Sequence, residues 1–406
     1  MMPKKNNLFV SKVKLDGKDT DILIENGLFK AIRRSGRIQP PAGVPVLDGR
    51  GKAVLPALYN THNHAAMTLL RGYADDMPLG KWLTEYIWPF EDKMTPADIR
   101  KGSVIACEEM KRSGSVFFSD MYFEIDKTIS VVADSGMRAA IGITVMDNHS
   151  KAVEDAKLQF IREWKDPTGG RIQLAMAPHA IYTVNTERLK RSVEFARNAG
   201  IKIHMHLAET ANEVRDCLKS FGKTPVRYLE SIGVLGPDLI LAHCVHVDRE
   251  EWDILASHGV TVSHCPSSNM KLGSGRFPYE YAIQSGCRVS LGTDGASSNN
   301  NLDLRQEMRS AAMLAKCISM KEDGSFVNEG NPELLPAEKV FEWATRNGAL
   351  AFGIDGGEIA EGKVADALLV DLANIRMKPC FNLISNFVYS ADSSCIAATI
   401  CDGKII

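Results

Sequence analysis
The sequence predicts an α/β protein built on a TIM (β/α)8 barrel, with a small composite β-sandwich domain formed by both chain ends. Three observations lead there. Between residues 53 and 295, eight short apolar runs alternate with longer amphipathic stretches, the pattern of parallel strands joined by helices. Polar residues with chemical potential gather at the carboxyl end of nearly every run, where barrel active sites are built; a doubly wound sheet would concentrate them at one switch point. The two chain ends lack this period and read as short alternating strands.

In chain order, residues 1–50 hold the alternating runs FVSKVKL, DILIENG and LFKAIRR, broken by Gly and Pro, and form the N-terminal part of the small domain. Residues 51–355 form the barrel. Its strands are expected in AVLPALYN (53–60), SVFFSDMYF (115–123), RAAIGITVMD (138–147), RIQLAMAPH (171–179), KIHMHLAE (202–209), LILAHCVH (239–246), VTVSHCPS (260–267) and RVSLGTDG (288–295). Helices are expected over 95–114, with Thr95 as N-cap and Pro96 at the first helical position, over 185–200, closing at Gly200, and over 248–259, closing at Gly259. A further helix around 336–350 returns the chain to residues 356–406, where KVADALLVDLA and CIAATICDGKII complete the small domain.

Composition narrows the function classes. With 48 basic and 50 acidic residues, a net charge of −2 gives no long-range pull toward nucleic acid or an anionic membrane. The nine cysteines are scattered and never spaced C-x-x-C, which suits a reduced, cytoplasmic protein. MMPKKNNLFV lacks the apolar run of a signal peptide, and no stretch reaches membrane-spanning length. FGKTP lacks the first glycine of a P-loop, and KLGSGR lacks the setting of a dinucleotide fingerprint.

The chemistry sits in the histidines. His62-Asn63-His64 follows the first run, and alternation puts residues i and i+2 on one side of a strand, so both imidazoles can converge on one ion. His204 and His206 end the fifth run, His243 the sixth, and Asp294 the eighth. In a barrel these ends face one another. Two histidines from the first strand, one from the fifth and the aspartate form a nitrogen and oxygen set suited to Zn²⁺ or Fe²⁺. The H-x-E and P-C-x-x-C pattern of cytidine-type deaminases is absent.

H-x-H after strand one, H-x-x-E from His206 to Glu209, A-H-C after strand six and G-T-D after strand eight resemble the amidohydrolase superfamily. TLLRGYADDMPLGKWLTEYIWPFEDKMT, APHAIYT, HMHLAET and SHCPSSNMKLGSG are similar to its 5-methylthioadenosine/S-adenosylhomocysteine deaminase branch, and GGEIAEGKVADALLVD resembles that branch's return to its small domain. The resemblance implies metal ligands at His62, His64, His206 and Asp294, with His206 rather than His204 at the H-x-x-E offset. RIQLAMAPHAIYT offers only His179 where a second metal would need a bridging carboxylate or carboxylated lysine, so one divalent metal is expected, Zn²⁺ ahead of Fe²⁺.

The same resemblance implies that Glu209 protonates a purine ring nitrogen, that Asp294 relays a proton from water to the leaving amine, and that His243 orients the nucleophile. Glu91, in PFEDKMT, matches a residue that holds ribose hydroxyls, and His179 a substrate-contacting histidine. Trp88, with Trp82, Met67 and Leu70, is expected in an apolar substrate wall. His246 and His264 are expected to support the barrel mouth, and His149 and His258 to lie on the surface. One departure concerns the 5-substituent: the S-adenosylhomocysteine pattern carries an arginine shortly after GMRA to meet the amino acid carboxylate, and Ile143 stands there. The implied reaction is deamination of an adenosine-type nucleoside by a closed homo-oligomer. The alternatives are hydrolysis of guanine, a pterin or an s-triazine, and a non-catalytic metal-binding scaffold, which would need a broken ligand set.

Overall fold
The structure is a computed structural model that describes residues 6–321, 324–327 and 329–406. All eight barrel strands form. They are Leu58–Asn63, Ser115–Tyr122, Arg138–Val145, Ile172–Pro178, Lys202–Leu207, Leu239–His243, Thr261–His264 and Arg288–Leu291, parallel and in sequential order. Strands buried on both faces need continuous apolar runs rather than alternation, which is why Ser115–Tyr122 and Leu239–His243 are buried throughout. The eighth strand lies beside the first, where Thr61 Oγ1 donates to the Leu291 carbonyl at 2.9 Å.

The run expected as one strand over 53–60 is two. Lys52–Pro56 pairs with Leu8–Leu15 and with Ala367–Asp371, and only Leu58–Asn63 enters the barrel. Around Lys52–Pro56 the chain ends form one mixed sheet. Leu8–Leu15, Lys18–Glu25 and Leu28–Arg34 make an antiparallel meander, while Ala367–Asp371, Ile396–Cys401 and Lys404–Ile405 add the other side. Its tight hairpins turn at Asp16-Gly17, Asn26-Gly27 and Asp402-Gly403, all with positive φ, as two-residue turns between right-twisted strands require. Val13, Ile22, Ile24, Phe29, Val54 and Leu369 fill its core.

A buried polar seam joins sheet and barrel. Arg138, from the third barrel strand, donates to Asp366 at 3.0 Å and to Asp402 at 2.7 Å. Tyr59 Oη and the Asp402 backbone N–H also donate to Asp366, at 2.7 and 2.6 Å.

The predicted helices form with their predicted punctuation. Thr95 makes a capping box with Asp98 ahead of Pro96–Arg112, Asp248 does the same with Glu251, and Gly200 closes Thr186–Ala199 in the left-handed region. The helix expected over 336–350 is broken at Thr345 into Ala337–Ala344 and Arg346–Ala351. Between the first strand and the helix at Pro96, a π-helical turn over Trp82–Ile87 carries aromatic side chains across the barrel mouth. Among the described residues no helix is long and apolar enough to cross a membrane, and all nine cysteines are free.

Candidate active site and metal centre
The ends of strands one, five, six and eight bring five groups together. Nitrogens of His62, His206 and His243 lie within 4.8 Å of one another, and so do the ligand atoms of His62, His64 and Asp294. Asp294 Oδ1 stands 3.3 Å from His62 Nε2 and 3.1 Å from His64 Nε2. Four residues at these strand ends, Ala208, His243, Cys244 and Asp294, have φ of 50°, 73°, 50° and 60°, the kind of backbone strain that surrounding structure must hold at a working site.

The hydrogen bonds behind the ring decide what each imidazole offers. His64 Nδ1 meets the Met121 carbonyl at 2.7 Å, His206 Nδ1 the His179 carbonyl at 2.8 Å, and His243 Nδ1 the Asn269 Oδ1 at 2.8 Å. An Nδ1–H donated outward leaves each Nε2 lone pair facing the centre, the arrangement found behind metal-binding histidines. His62 Nδ1 lies 3.0 Å from His204 Nε2, and His204 Nδ1 lies 3.0 Å from Ser119 Oγ. His204 therefore faces the barrel interior and orients His62, while His206 faces the centre. The buried Nε2 of His62 has no hydrogen-bond partner, an arrangement that is costly unless something else satisfies it.

The charges agree with a cation. Burial, with neighbouring imidazoles, holds His206 well below the usual histidine range, and burial brings His62 down to about 4, so both are neutral ligand forms. Burial opposes charge on His64, but the Asp294 carboxylate outweighs it and lifts His64 to about 9. The proton that this pair keeps on His64 is what a divalent ion would replace. Asp294 also accepts hydrogen bonds from Ser268 and Ser298 at 2.7 and 3.0 Å, which aim its carboxylate. The residues present fit a divalent metal.

Above this centre opens a cavity of about 780 Å³. Glu209 lies at its base, with Oε2 3.8 Å from His243 Nε2 and Oε1 within 3.4 Å of Ser274 Oγ. Burial pushes its carboxyl above the ordinary range. Glu91 accepts a hydrogen bond from Tyr122 at 2.6 Å and is likewise raised by burial. His179, whose Nδ1 meets Thr183 Oγ1 at 2.9 Å, faces the same cavity, as do Trp88, Trp82 and Met67. Leu70 does not line it; this side chain is buried in the cluster beneath Trp82.

Two other placements differ from expectation. His149 is half-buried rather than fully exposed and lines the cavity, where burial brings it down to about 4. Ile143 is packed in the core between barrel and helices, outside the cavity wall. His246 bonds the Ser274 carbonyl at 2.6 Å and His264 bonds Tyr279 at 2.9 Å, both in support of the mouth, and His258 is exposed beside Glu230. Asn269, Ser268, Ser298 and Tyr122 escaped the sequence reading. The polar cluster PSSN at the end of strand seven was the available signal for the first two.

A family model described as "Amidohydrolase family" matches residues 53–406. A 5-methylthioadenosine/S-adenosylhomocysteine deaminase of Pelotomaculum thermopropionicum is 44% identical over 89% of this chain and 82% of its own length. A 5'-deoxyadenosine deaminase of Methanosarcina mazei is 42% identical over 96% of this chain and 88% of its own. Among solved structures, an adenosine deaminase from Xanthomonas campestris with bound zinc superposes with a TM-score of 0.89 at 32% identity, covering 98% of this chain and 92% of that one. A triazine hydrolase from Arthrobacter aurescens shares the fold, at a TM-score of 0.86 and 22% identity over 98% of this chain and 94% of that one.

Proposed function
Because the chain belongs to the amidohydrolase family, we propose that it hydrolyses the exocyclic amine of an adenosine-type nucleoside, giving the inosine analogue and ammonia. The observation that carries this reading is a protonatable, buried Glu209 beside His243 and Asp294 at the base of one cavity. The residues that would hold a divalent metal, Zn²⁺ ahead of Fe²⁺, are His62, His64, His206 and Asp294, and such an ion supplies the Lewis acidity that makes water a nucleophile near neutral pH.

The side chains divide the proton work. Glu209, whose hold on a proton burial strengthens, donates to the purine ring nitrogen next to the amine-bearing carbon, so that carbon accepts the water oxygen. Asp294 takes a proton from the water and delivers it to the amine, which leaves as ammonia. His243, its outer nitrogen tied to Asn269, presents the other to the attacking water. Glu91, braced by Tyr122, accepts hydrogen bonds from the ribose hydroxyls, while His179 and Trp88 contact the nucleoside. The near-neutral charge and free cysteines support a cytoplasmic enzyme for a small molecule, without nucleic acid; a closed homo-oligomer is expected only because such assemblies are common among soluble enzymes.

The cavity wall refines the choice of 5-substituent. Among its described residues are five carboxylates, Glu91, Asp92, Asp147, Glu209 and Asp294, and no lysine or arginine. Lys157 and Arg188, which lie behind the wall, are turned to the backbone carbonyls of Thr144, Met146 and His149. The carboxylate of a zwitterionic homocysteine tail meets no lysine or arginine there, so 5-methylthioadenosine, 5-deoxyadenosine and adenosine are preferred over S-adenosylhomocysteine. The test is the adenine absorbance change of metal-replete enzyme on these four nucleosides, with guanine, a pterin and an s-triazine alongside. Equal specificity constants for neutral and charged nucleosides would refute the preference, and turnover confined to another ring would refute the function. Glu209→Gln is expected to lower kcat at least ~100-fold; a wild-type rate would remove Glu209 as the acid.

A further inference from the structure
We propose that Glu213 is a positioning residue that fixes the proton-donating Glu209, an inference resting on the function proposed above. Glu213 lies in the first turn of Ala211–Phe221, is 6% exposed and does not line the cavity. Its two carboxylate oxygens are spent separately on consecutive backbone amides. Oε1 accepts from Ala208 N at 2.8 Å and Oε2 from Glu209 N at 2.9 Å. An exposed first-turn acid usually serves its own helix end; this one is buried and turned back on the loop that precedes the helix.

That loop needs holding. Ala208 has φ of 50°, a conformation with a steric cost for any side chain bearing a Cβ. Its kink separates His206, aimed at the centre, from Glu209, aimed into the cavity. On the other side of the kink the Ala208 carbonyl accepts from His246 N at 2.9 Å, and His246 in turn bonds the carbonyl of Ser274, whose hydroxyl reaches Glu209. The Glu213 carboxylate is the only hydrogen-bond partner given to the Ala208 and Glu209 amides among the described residues. Without it two buried N–H groups lose their acceptor, the left-handed turn relaxes, and the Glu209 carboxyl moves off the ring nitrogen. A shift of about 1 Å at a reacting group is enough to cost rate without changing binding.

The experiment is a double-variant cycle on metal-replete enzyme. Glu213→Gln retains volume but turns an amide NH₂ toward one backbone N–H, replacing an acceptor with a donor. Expected is a 10- to 100-fold fall in kcat, on the order seen when a group orienting an active residue is lost, with KM and metal content per chain unchanged. In a Glu209→Gln background Glu213→Gln should lower kcat no further, because its effect passes through Glu209. Glu213→Asp, too short to span both amides, should repeat the split and serves if the Gln variant folds poorly. A wild-type kcat in both variants, losses that multiply in the double variant, or a rate loss matched by lost metal would overturn the proposal. If Glu209→Gln alone retains full rate, the functional reading fails instead.

Discussion
Two of the buried ionic clusters among the described residues, one at the seam and one at the barrel mouth, differ in what they leave over. At the seam, Arg138 faces Asp366 and Asp402, and Tyr59, a backbone amide and Asn6 donate to the same two carboxylates, so both acids have their donors within the protein. At the barrel mouth, four imidazoles gather with one carboxylate, each Nδ1 is committed away from the centre, and the buried His62 Nε2 makes no hydrogen bond, standing 3.3 Å from Asp294 Oδ1. A network that balances its own donors and acceptors holds structure together. One with surplus lone pairs aimed at a common point is built for something added.

The largest effect should come from opening the mouth cluster. His206→Ala is expected to lower metal content below one per chain and activity by about four orders of magnitude, several kcal/mol of lost transition-state stabilisation, with the far-ultraviolet circular dichroism unchanged. Elemental analysis beside kinetics checks it. The seam should answer the opposite way. Arg138→Met strands the buried Asp366 carboxylate and is expected to cost about 3–5 kcal/mol of stability, read as a lower urea midpoint, while kcat per folded, metal-loaded molecule stays at the wild-type value. A variant that lost activity and kept stability would erase the distinction.

A smaller effect sharpens it. Asn269→Ala removes the acceptor that fixes the His243 ring, and about a tenfold fall in kcat is expected, with metal content retained because the four proposed ligands are untouched. The smallest effect concerns Lys157, which has neither a carboxylate partner in the seam manner nor a ligand to hold. Burial alone draws it down from 10.5 to about 8. Between those values the unfolded chain keeps a proton that the native protein gives up, so stability gains as pH rises through that window, and the full burial penalty stands below pH 8. Lys157→Met should flatten this slope, seen as a wild-type-to-variant difference in urea midpoint that shrinks between pH about 7 and about 10.

How much of this could be read beforehand follows from the range of each signal. Strand ends, capping residues and the H-x-H and H-x-x-E spacings are local, so the barrel and the histidines at its mouth were legible. The break between Lys52–Pro56 and Leu58–Asn63 was not, because one apolar run serves two sheets whose other strands come from distant sequence. His204 and His206 share a strand face; the resemblance selects His206 by its H-x-x-E offset, and the neighbours across the barrel, His62 and Ser119, supply the physical reason for the different roles. Ile143 turned on side-chain direction near the end of a strand, and His149 on how a loop folds over the mouth; neither has a pattern in the flanking residues. Asn269 and Glu213 act through groups contributed by other segments or by a backbone kink, which single residues do not announce.

The small sheet has a consequence for how the chain is made. Lys52–Pro56 finds its partner on one side in residues 8–15, but on the other only in Ala367–Asp371. During synthesis that edge stays open until nearly the whole barrel has emerged, an exposed strand that invites pairing between nascent chains. The finished protein brings the two ends together, with Asn6 donating to Asp402 at 2.6 Å. A circular permutant that links them and opens the chain in an exposed loop would make both halves of the sheet consecutively, and should assemble with less aggregation than the natural order.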